Sequence, residues 1–316
     1  MEKLLSDFAK AVIAGLSVSE KSTPSRFLYD AAGDALFQEI MGLPEYYLTR
    51  TEFEILTTHA TSIVSQLDTN LPLQLVELGA GDGIKTKILL RKLNEMKVEV
   101  EYFPIDISEN ALNSLKVSIQ LEFPDLKINT QHAEYFEALQ LLKNNNNTQK
   151  LVLFLGSNIG NMSSEEMNSF LELLHKSLNG KDKVLIGFDL VKNSETILAA
   201  YNDAAGVTKE FNLNLLRRMN KELGANFNLD FWKHLPIYDE QQQVALSFLE
   251  STQQQTVSFE KIALKVDFKM DEKIYTERSQ KFAQPQIEAL AKHAGFTELM
   301  HYKNTEFAFV CALWKA

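Results

Sequence analysis

The sequence predicts an α/β fold, a mostly parallel sheet flanked by helices and accompanied by a second α+β lobe. Three observations carry that expectation. Short apolar runs alternate with amphipathic segments from residue 73 to residue 189, as βαβ units require. A glycine-rich turn follows the first of those runs. The chain ends on a helical segment and two apolar runs with no helix between them.

Residues 73–78 read as a strand that stops at Gly79-Ala80-Gly81-Asp82-Gly83, and residues 85–93 have helical spacing. Residues 101–105 form the second strand. Ser108 caps the helix that follows, with Leu112, Leu115 and Ile119 on one face. A third strand is expected at residues 127–132, then a polar loop at residues 144–147. Residues 151–155 give the strongest strand signal of the chain. Ser163-Ser164-Glu165-Glu166 opens a helix with Phe170, Leu171 and Leu174 inward, and residues 184–188 make a fifth strand that finishes at Asp189.

After Asp189 the alternation stops. Helical segments at 196–201 and 208–223 precede strand-like runs around 244–249, 256–268 and 273–282. Residues 284–294 then read as a helix ended by Gly295, and 298–302 with 307–312 as two closing strands. This order resembles the Rossmann-like seven-stranded sheet of class I methyltransferases, in which the last strand inserts antiparallel to its neighbours. On that reading residues 60–190 and 283–316 form the cofactor-binding domain. Residues 1–59 and 191–282 form a second lobe that binds the substrate.

Composition narrows the partners. With 316 residues, 45% hydrophobic and 23% charged, the chain is globular and not disordered. Lys+Arg 32 against Asp+Glu 42 gives a net charge of −10, which repels a nucleic acid. The single cysteine, Cys311, leaves no intramolecular disulfide and no cysteine-based zinc site. Residues 1–8 carry acidic groups and no long apolar run, so no secretory signal is expected. No stretch approaches the roughly 18–20 apolar residues of a membrane span. A cytoplasmic monomer acting on a small molecule is the expectation.

Glu77 to Gly83 fits E-x-G-x-G-x-G. Glycines after a buried strand let the backbone pass close to a ligand and turn sharply into a helix. Ile84 occupies the position where a dinucleotide fingerprint needs its third glycine, and no phosphate-binding G-x-x-x-x-G-K-[ST] is present. Asp106, at the end of the second strand, can accept both hydroxyls of a ribose. A tight turn with a capping aspartate is the plainer alternative. With the class I strand order, S-adenosylmethionine is the expected cofactor, and no metal is expected. Glu134-Tyr135, after the third strand, stands where such folds often hold the adenine.

The resemblance extends beyond the fold. Phe27-Leu28-Tyr29-Asp30, Gly33, Leu36-Phe37 and the run from Leu43 to Glu52 (LPEYYLTRTE) resemble the amino-terminal signature of the histidine-specific methyltransferase family. So do the runs 75–79, 154–161 (FLGSNIGN), 189–192, 201–208 (YNDAAGVT) and 276–282 (TERSQKF). The family's best-known members trimethylate the α-amino group of L-histidine to hercynine, the first step of ergothioneine biosynthesis.

The resemblance implies cofactor contacts at Gly79, Lys85, Asp106, Glu134 and Tyr135, with Lys85 on the cofactor's carboxylate. Members of the family usually carry Asp-Phe where this chain has Glu134-Tyr135, and a more serine-rich glycine loop. It implies an acceptor site of Tyr46, Gly156, Asn161, Tyr201, Glu277 and Ser279. Asn161 and Tyr201 are neutral donors suited to a carboxylate. Glu277 and Ser279, at i and i+2 on a strand, point to the same side, as recognition of one imidazole ring demands. Tyr46 would close around the ring. The resemblance also implies Tyr29 as the group that contacts the amine, as an orienting group more than as a base, since an ordinary tyrosine has a pKa of ~10.

Each of these residues has a plainer reading. Tyr46 and Tyr201 could be core tyrosines, Glu277 and Ser279 the wet face of a strand, and Asn161 a turn residue. Other functions also stand beside the main one. They are a different amine acceptor, transfer to an imidazole nitrogen, and a non-catalytic protein that binds the same ligands.

Overall fold

The computed structural model describes residues 5–141, 147–306 and 308–316. Residues 1–4, most of the polar loop expected at 144–147, and residue 307 of the last expected strand lie outside the described residues. Helices α1 (Asp7–Leu16) and α2 (Ala31–Met41) come first, and α3 (Tyr47–Ser65) leads into the sheet. There β1 (Leu73–Leu78), α4 (Ile84–Glu95), β2 (Val100–Asp106) and α5 (Glu109–Glu122) alternate. Two short strands follow, β3 (Lys127–Ile128) and β4 (Gln131–His132). Next come α6 (Tyr135–Leu141), β5 (Gln149–Phe154), α7 (Ser164–Lys176) and β6 (Lys183–Asp189). Beyond them lie α8 (Ser194–Ala200), α9 (Val207–Leu223), β7 (Trp232–Asp239) and β8 (Val244–Ser251). The strands β9 (Gln255–Phe259), β10 (Leu264–Phe268) and β11 (Lys273–Gln280) precede α10 (Gln284–Ala294), β12 (Thr297–Lys303) and β13 (Phe309–Lys315).

The chain divides into two compact units, one of Met1–Tyr46 with Asn193–Ser279 and one of Tyr47–Lys192 with Gln280–Ala316. The second unit holds the large sheet, in the order β12-β13-β6-β5-β1-β2-β3, with β4 also on β2. Strands β6, β5, β1 and β2 run parallel, and β13 is antiparallel to both β6 and β12. This is the class I methyltransferase order, its third position split between β3 and β4. Every residue of β5 is buried, because helices cover both faces and such strands read as continuous apolar runs. Alternation along the strands separates two cores. Val76, Leu78, Val152 and Phe154 face α7 and α10, whereas Leu73, Leu75, Leu151 and Leu153 face α3 and α4.

The unit boundaries differ from those expected near residues 59, 190 and 282. Helix α3 belongs with the sheet from Tyr47 onward, because Ile55, Leu56, Ile63 and Val64 fill the same core as Leu75 and Leu89. Phe282 also belongs there, beside Leu190, which was expected in that unit. They bridge as a short parallel pair, and Phe282 is buried in the other core.

The first unit packs α1, α2 and α9 with a three-stranded sheet, β11-β8-β7, and the hairpin β9-β10. Its core includes Phe8, Phe27, Phe211, Leu216, Trp232 and Phe268. Among the described residues no helix is long and apolar enough to cross a membrane.

Candidate active site

In the sheet unit, the chain leaves β1 through three left-handed glycines, Gly79 (φ +73°), Gly81 (φ +53°) and Gly83 (φ +67°). The N–H groups of Gly79 and Ala80 both reach the Ile105 carbonyl at the end of β2, at 2.8 and 3.2 Å. A Cβ on Gly79 would stand 2.9 Å from the Tyr135 hydroxyl and 3.0 Å from the Asn158 amide nitrogen. A Cβ on Gly83 would overlap Leu115 of α5. The turn is therefore closed on both sides, while nothing lies within 4 Å of a Cβ on Gly81.

Asp106 closes the same turn. One carboxylate oxygen accepts the Gly81 N–H at 3.0 Å and the other the Ser108 N–H at 2.9 Å. Each oxygen keeps a second acceptor direction. Tyr135 opens α6 with its ring on Phe154 at 5.0 Å, and burial raises its hydroxyl pKa above the ordinary value. Glu134, just before it, is exposed. Under the loop, the buried Glu77 accepts from Thr86 (2.5 Å) and from Tyr102. Burial outweighs those two donors and raises its pKa to about 7.

Gly156 follows β5 with φ +75°, and a Cβ there would lie 3.6 Å from the Lys85 ammonium. A one-turn 3-10 helix, Asn158–Asn161, comes next and carries the half-buried Asn161. Gly160 in that turn leaves room for the backbone of Gln280.

Two groups of this unit were not anticipated as site residues. Glu52 of α3, fully buried, meets Lys85 at 2.5 Å and accepts the Gly156 N–H at 2.8 and 3.0 Å. A sequence signal existed, because the buried face of α3 runs Leu48, Thr51, Glu52, Ile55 and Leu56, so a carboxylate falls on the apolar stripe. The second group surrounds Asp189 at the end of β6. Tyr47 donates to it at 2.7 Å, and Lys192 and Lys281 pair with it at 2.5 and 2.9 Å. Burial alone would raise the Asp189 carboxyl, but the two ammonium groups outweigh it and hold the pKa below the usual carboxylate value.

The other unit carries the remaining expected residues. Tyr29 lies edge-on to Phe37 and Phe211, both at 5.4 Å, and Tyr46 meets the same Phe37 at 6.2 Å. The two tyrosines thus share one aromatic cluster. Glu277 and Ser279 project from one side of β11, half-buried and buried respectively. Thr276, on the opposite side, is bonded to Asn212 of α9 at 2.7 Å. Tyr201, buried at the end of α8, has its carbonyl 3.0 Å from His234 on β7. Strands β7 and β11 are opposite edges of their sheet, so this unit does not gather Tyr201 and Glu277 on one strand pair.

Over residues 8–316 the sequence matches the family described as histidine-specific, S-adenosylmethionine-dependent methyltransferases. The chain belongs to that family. It is 36% identical over 287 residues to histidine N-alpha-methyltransferase of Mycolicibacterium smegmatis, covering 91% of this chain and 88% of that protein. The protein of the same name from Mycobacterium tuberculosis is 34% identical over 284 residues, covering 90% and 87%. Ergothioneine biosynthesis protein 1 of Schizosaccharomyces pombe is 30% identical over 296 residues, which is 92% of this chain but 38% of that longer protein.

A methyltransferase of this family uses S-adenosylmethionine as methyl donor, and the residues of the sheet unit fit it. A nucleoside needs a turn where backbone can approach closely, and Gly81 leaves that space open. Its ribose needs a carboxylate at the end of β2, which Asp106 supplies, already oriented by two N–H donors. Its carboxylate needs a cation, and Lys85 stands beside the Gly156 turn.

Proposed function

We propose that the protein transfers methyl groups from S-adenosylmethionine to the α-amino group of L-histidine, ending at trimethylhistidine (hercynine). The observation that carries this reading is the 36% identity, across 91% of the chain, to a histidine N-alpha-methyltransferase. When bound, S-adenosylmethionine supplies an electrophilic methyl carbon on a sulfonium. The cofactor residues are Gly79, Lys85, Asp106, Glu134 and Tyr135. Asp106 accepts from the ribose hydroxyls, Lys85 donates to the cofactor carboxylate, and Tyr135 with Glu134 borders the adenine.

The acceptor residues are Tyr46, Gly156, Asn161, Tyr201, Glu277 and Ser279. Asn161 and Tyr201 donate to the histidine carboxylate. Glu277 accepts the ring N–H, Ser279 serves the other ring edge, and Tyr46 packs on the ring. Tyr29 orients the amine, its ring held by Phe37 and Phe211, while the Gly156 carbonyl accepts an amine N–H. Catalysis is positioning and desolvation. The α-ammonium gives up a proton to water, and its lone pair, in line with the methyl carbon, would form the C–N bond as the C–S bond breaks and the thioether product leaves. No covalent bond to the protein is needed, and a cytoplasmic monomer suffices.

Incubation with S-adenosylmethionine and each of the twenty amino acids, followed by mass spectrometry, tests the whole reading. Histidine alone should gain one, two and then three methyl groups, with fragmentation placing them on the α-nitrogen. Methyl groups on the ring, or on another amino acid, would replace it.

A further inference from the structure

Glu52 is a carboxylate enclosed on every side, with a side-chain exposure of 0%. Four elements of the sheet unit supply its surroundings. From α4 comes the Lys85 ammonium, 2.5 Å from Oε2. From the turn after β5 comes the Gly156 N–H, at 2.8 Å from Oε2 and 3.0 Å from Oε1. From β13 comes the Cys311 thiol, 3.9 Å from Oε1. From β6 comes Gly187, where a Cβ would overlap Oε1 and stand 3.1 Å from the Phe309 ring. A bare glycine on a fully buried strand is the space that this carboxylate occupies.

We propose that Glu52 is a positioning residue for methyl transfer, aiming Lys85 at the cofactor carboxylate and tying that lysine to the Gly156 turn. This rests on the cofactor role given above to Lys85. The reason for the arrangement is electrostatic. An ammonium buried alone sheds its proton, and a partner carboxylate at hydrogen-bond distance keeps the charge in place. Burial works against the Lys85 charge, and Glu52 outweighs it, so its pKa stands above the ordinary lysine value. The other ionisable groups that act on Lys85 are Glu77 and Cys311. Lysine has three donors, so it can hold Glu52 and still serve a second carboxylate. The Gly156 N–H bond fixes the turn from which the proposed amine contact departs, so one buried side chain sets both contacts.

The test compares two cofactor analogues by calorimetry between pH 8 and pH 10. The deamino analogue of S-adenosylhomocysteine keeps the carboxylate and has no titrating amine; 5′-methylthioadenosine has neither group. The ratio of their affinities isolates the carboxylate contact, and Glu77, which titrates lower, affects both alike. In the wild type the ratio should stay constant within two-fold. In Glu52→Gln it should lie at least ten-fold below the wild-type ratio at pH 10, with methylthioadenosine affinity unchanged as proof of an intact pocket. Adding Lys85→Arg to Glu52→Gln should restore a constant ratio, because a guanidinium stays charged. A Glu52→Gln ratio that matches the wild type at every pH overturns the proposal. So does a wild-type ratio that falls over this range, a result that decides even if Glu52→Gln does not fold. A wild type with no preference for the carboxylate analogue at any pH removes Lys85 from the cofactor site and the proposal with it, while leaving histidine turnover to be judged separately.

Discussion

At the scale of single residues, each proposed half-site rests on a carboxylate, Asp106 or Glu277. Asp106 is clamped by two backbone N–H groups at 3.0 and 2.9 Å, so its orientation is set before any ligand arrives. Asp106→Ala removes a charge-assisted acceptor for two hydroxyls and should weaken S-adenosylmethionine binding by on the order of 2–4 kcal/mol. Unchanged affinity by calorimetry would take Asp106 out of the site. Glu277 follows Thr276, whose bond to Asn212 at 2.7 Å fixes β11 against α9. A carboxylate facing a ring N–H is costly to leave unpaired, so a site built on one rejects side chains without a matching donor. Glu277→Gln should lower histidine kcat/KM by about ten-fold or more. Glu277→Ala should cost at least as much and relax the site toward phenylalanine and tryptophan. Histidine kcat/KM unaltered in both variants would mean that Glu277 does not read the ring.

At the scale of elements, legibility followed burial. Strands β1, β5 and β6 are readable because both faces are covered and each carries a run of buried apolar residues, such as residues 151–154 and 184–186. Strand β7 is not, because it is an edge strand of mostly half-exposed residues that includes Pro236, and proline marks edges rather than interiors. The expected third strand is real but broken, with Asn129 and Thr130 between its two parts. The glycine loop and Asp106 were legible from local spacing alone. Spacing marks Glu52 only as a carboxylate on an apolar stripe, and the partners of Glu52 and Asp189 are not legible, because they come from distant segments that only the fold brings together. Within the loop, the glycines should separate by function. Gly83→Ala is strained at φ +67° and overlaps Leu115, so it should lose on the order of 1–3 kcal/mol of stability. Gly81→Ala meets no neighbour and should cost only about 1–2 kcal/mol, the left-handed penalty, while its new methyl group obstructs the cofactor. Thermal unfolding and calorimetry on the two variants should give opposite rankings. Equal loss of cofactor affinity relative to stability in both would dismiss the distinction.

At the scale of the whole molecule, two buried carboxyls give the pH dependence of stability opposite slopes. Asp189 has a lowered pKa, so its contribution is present above the unfolded value and is lost as pH falls through the folded one. Glu77 is the reverse case, raised from 4.5 to about 7 by burial. Between those values the folded chain holds a proton that the unfolded chain has released. Its contribution is therefore complete below about pH 4.5 and is lost as pH rises through about 7. The full effect of such a shift is on the order of 3 kcal/mol. Glu77→Gln tests it, because an amide offers one acceptor and one donor to the Thr86 and Tyr102 hydroxyls, as the protonated acid does. Urea unfolding at pH 5 and pH 8 should show wild-type stability falling across the interval by up to that amount beyond whatever the variant shows. At pH 8 the variant should be the more stable of the two. An identical pH slope in wild type and Glu77→Gln would mean that Glu77 is ionised in the folded protein throughout. The Tyr102 and Thr86 hydroxyls would then outweigh its burial.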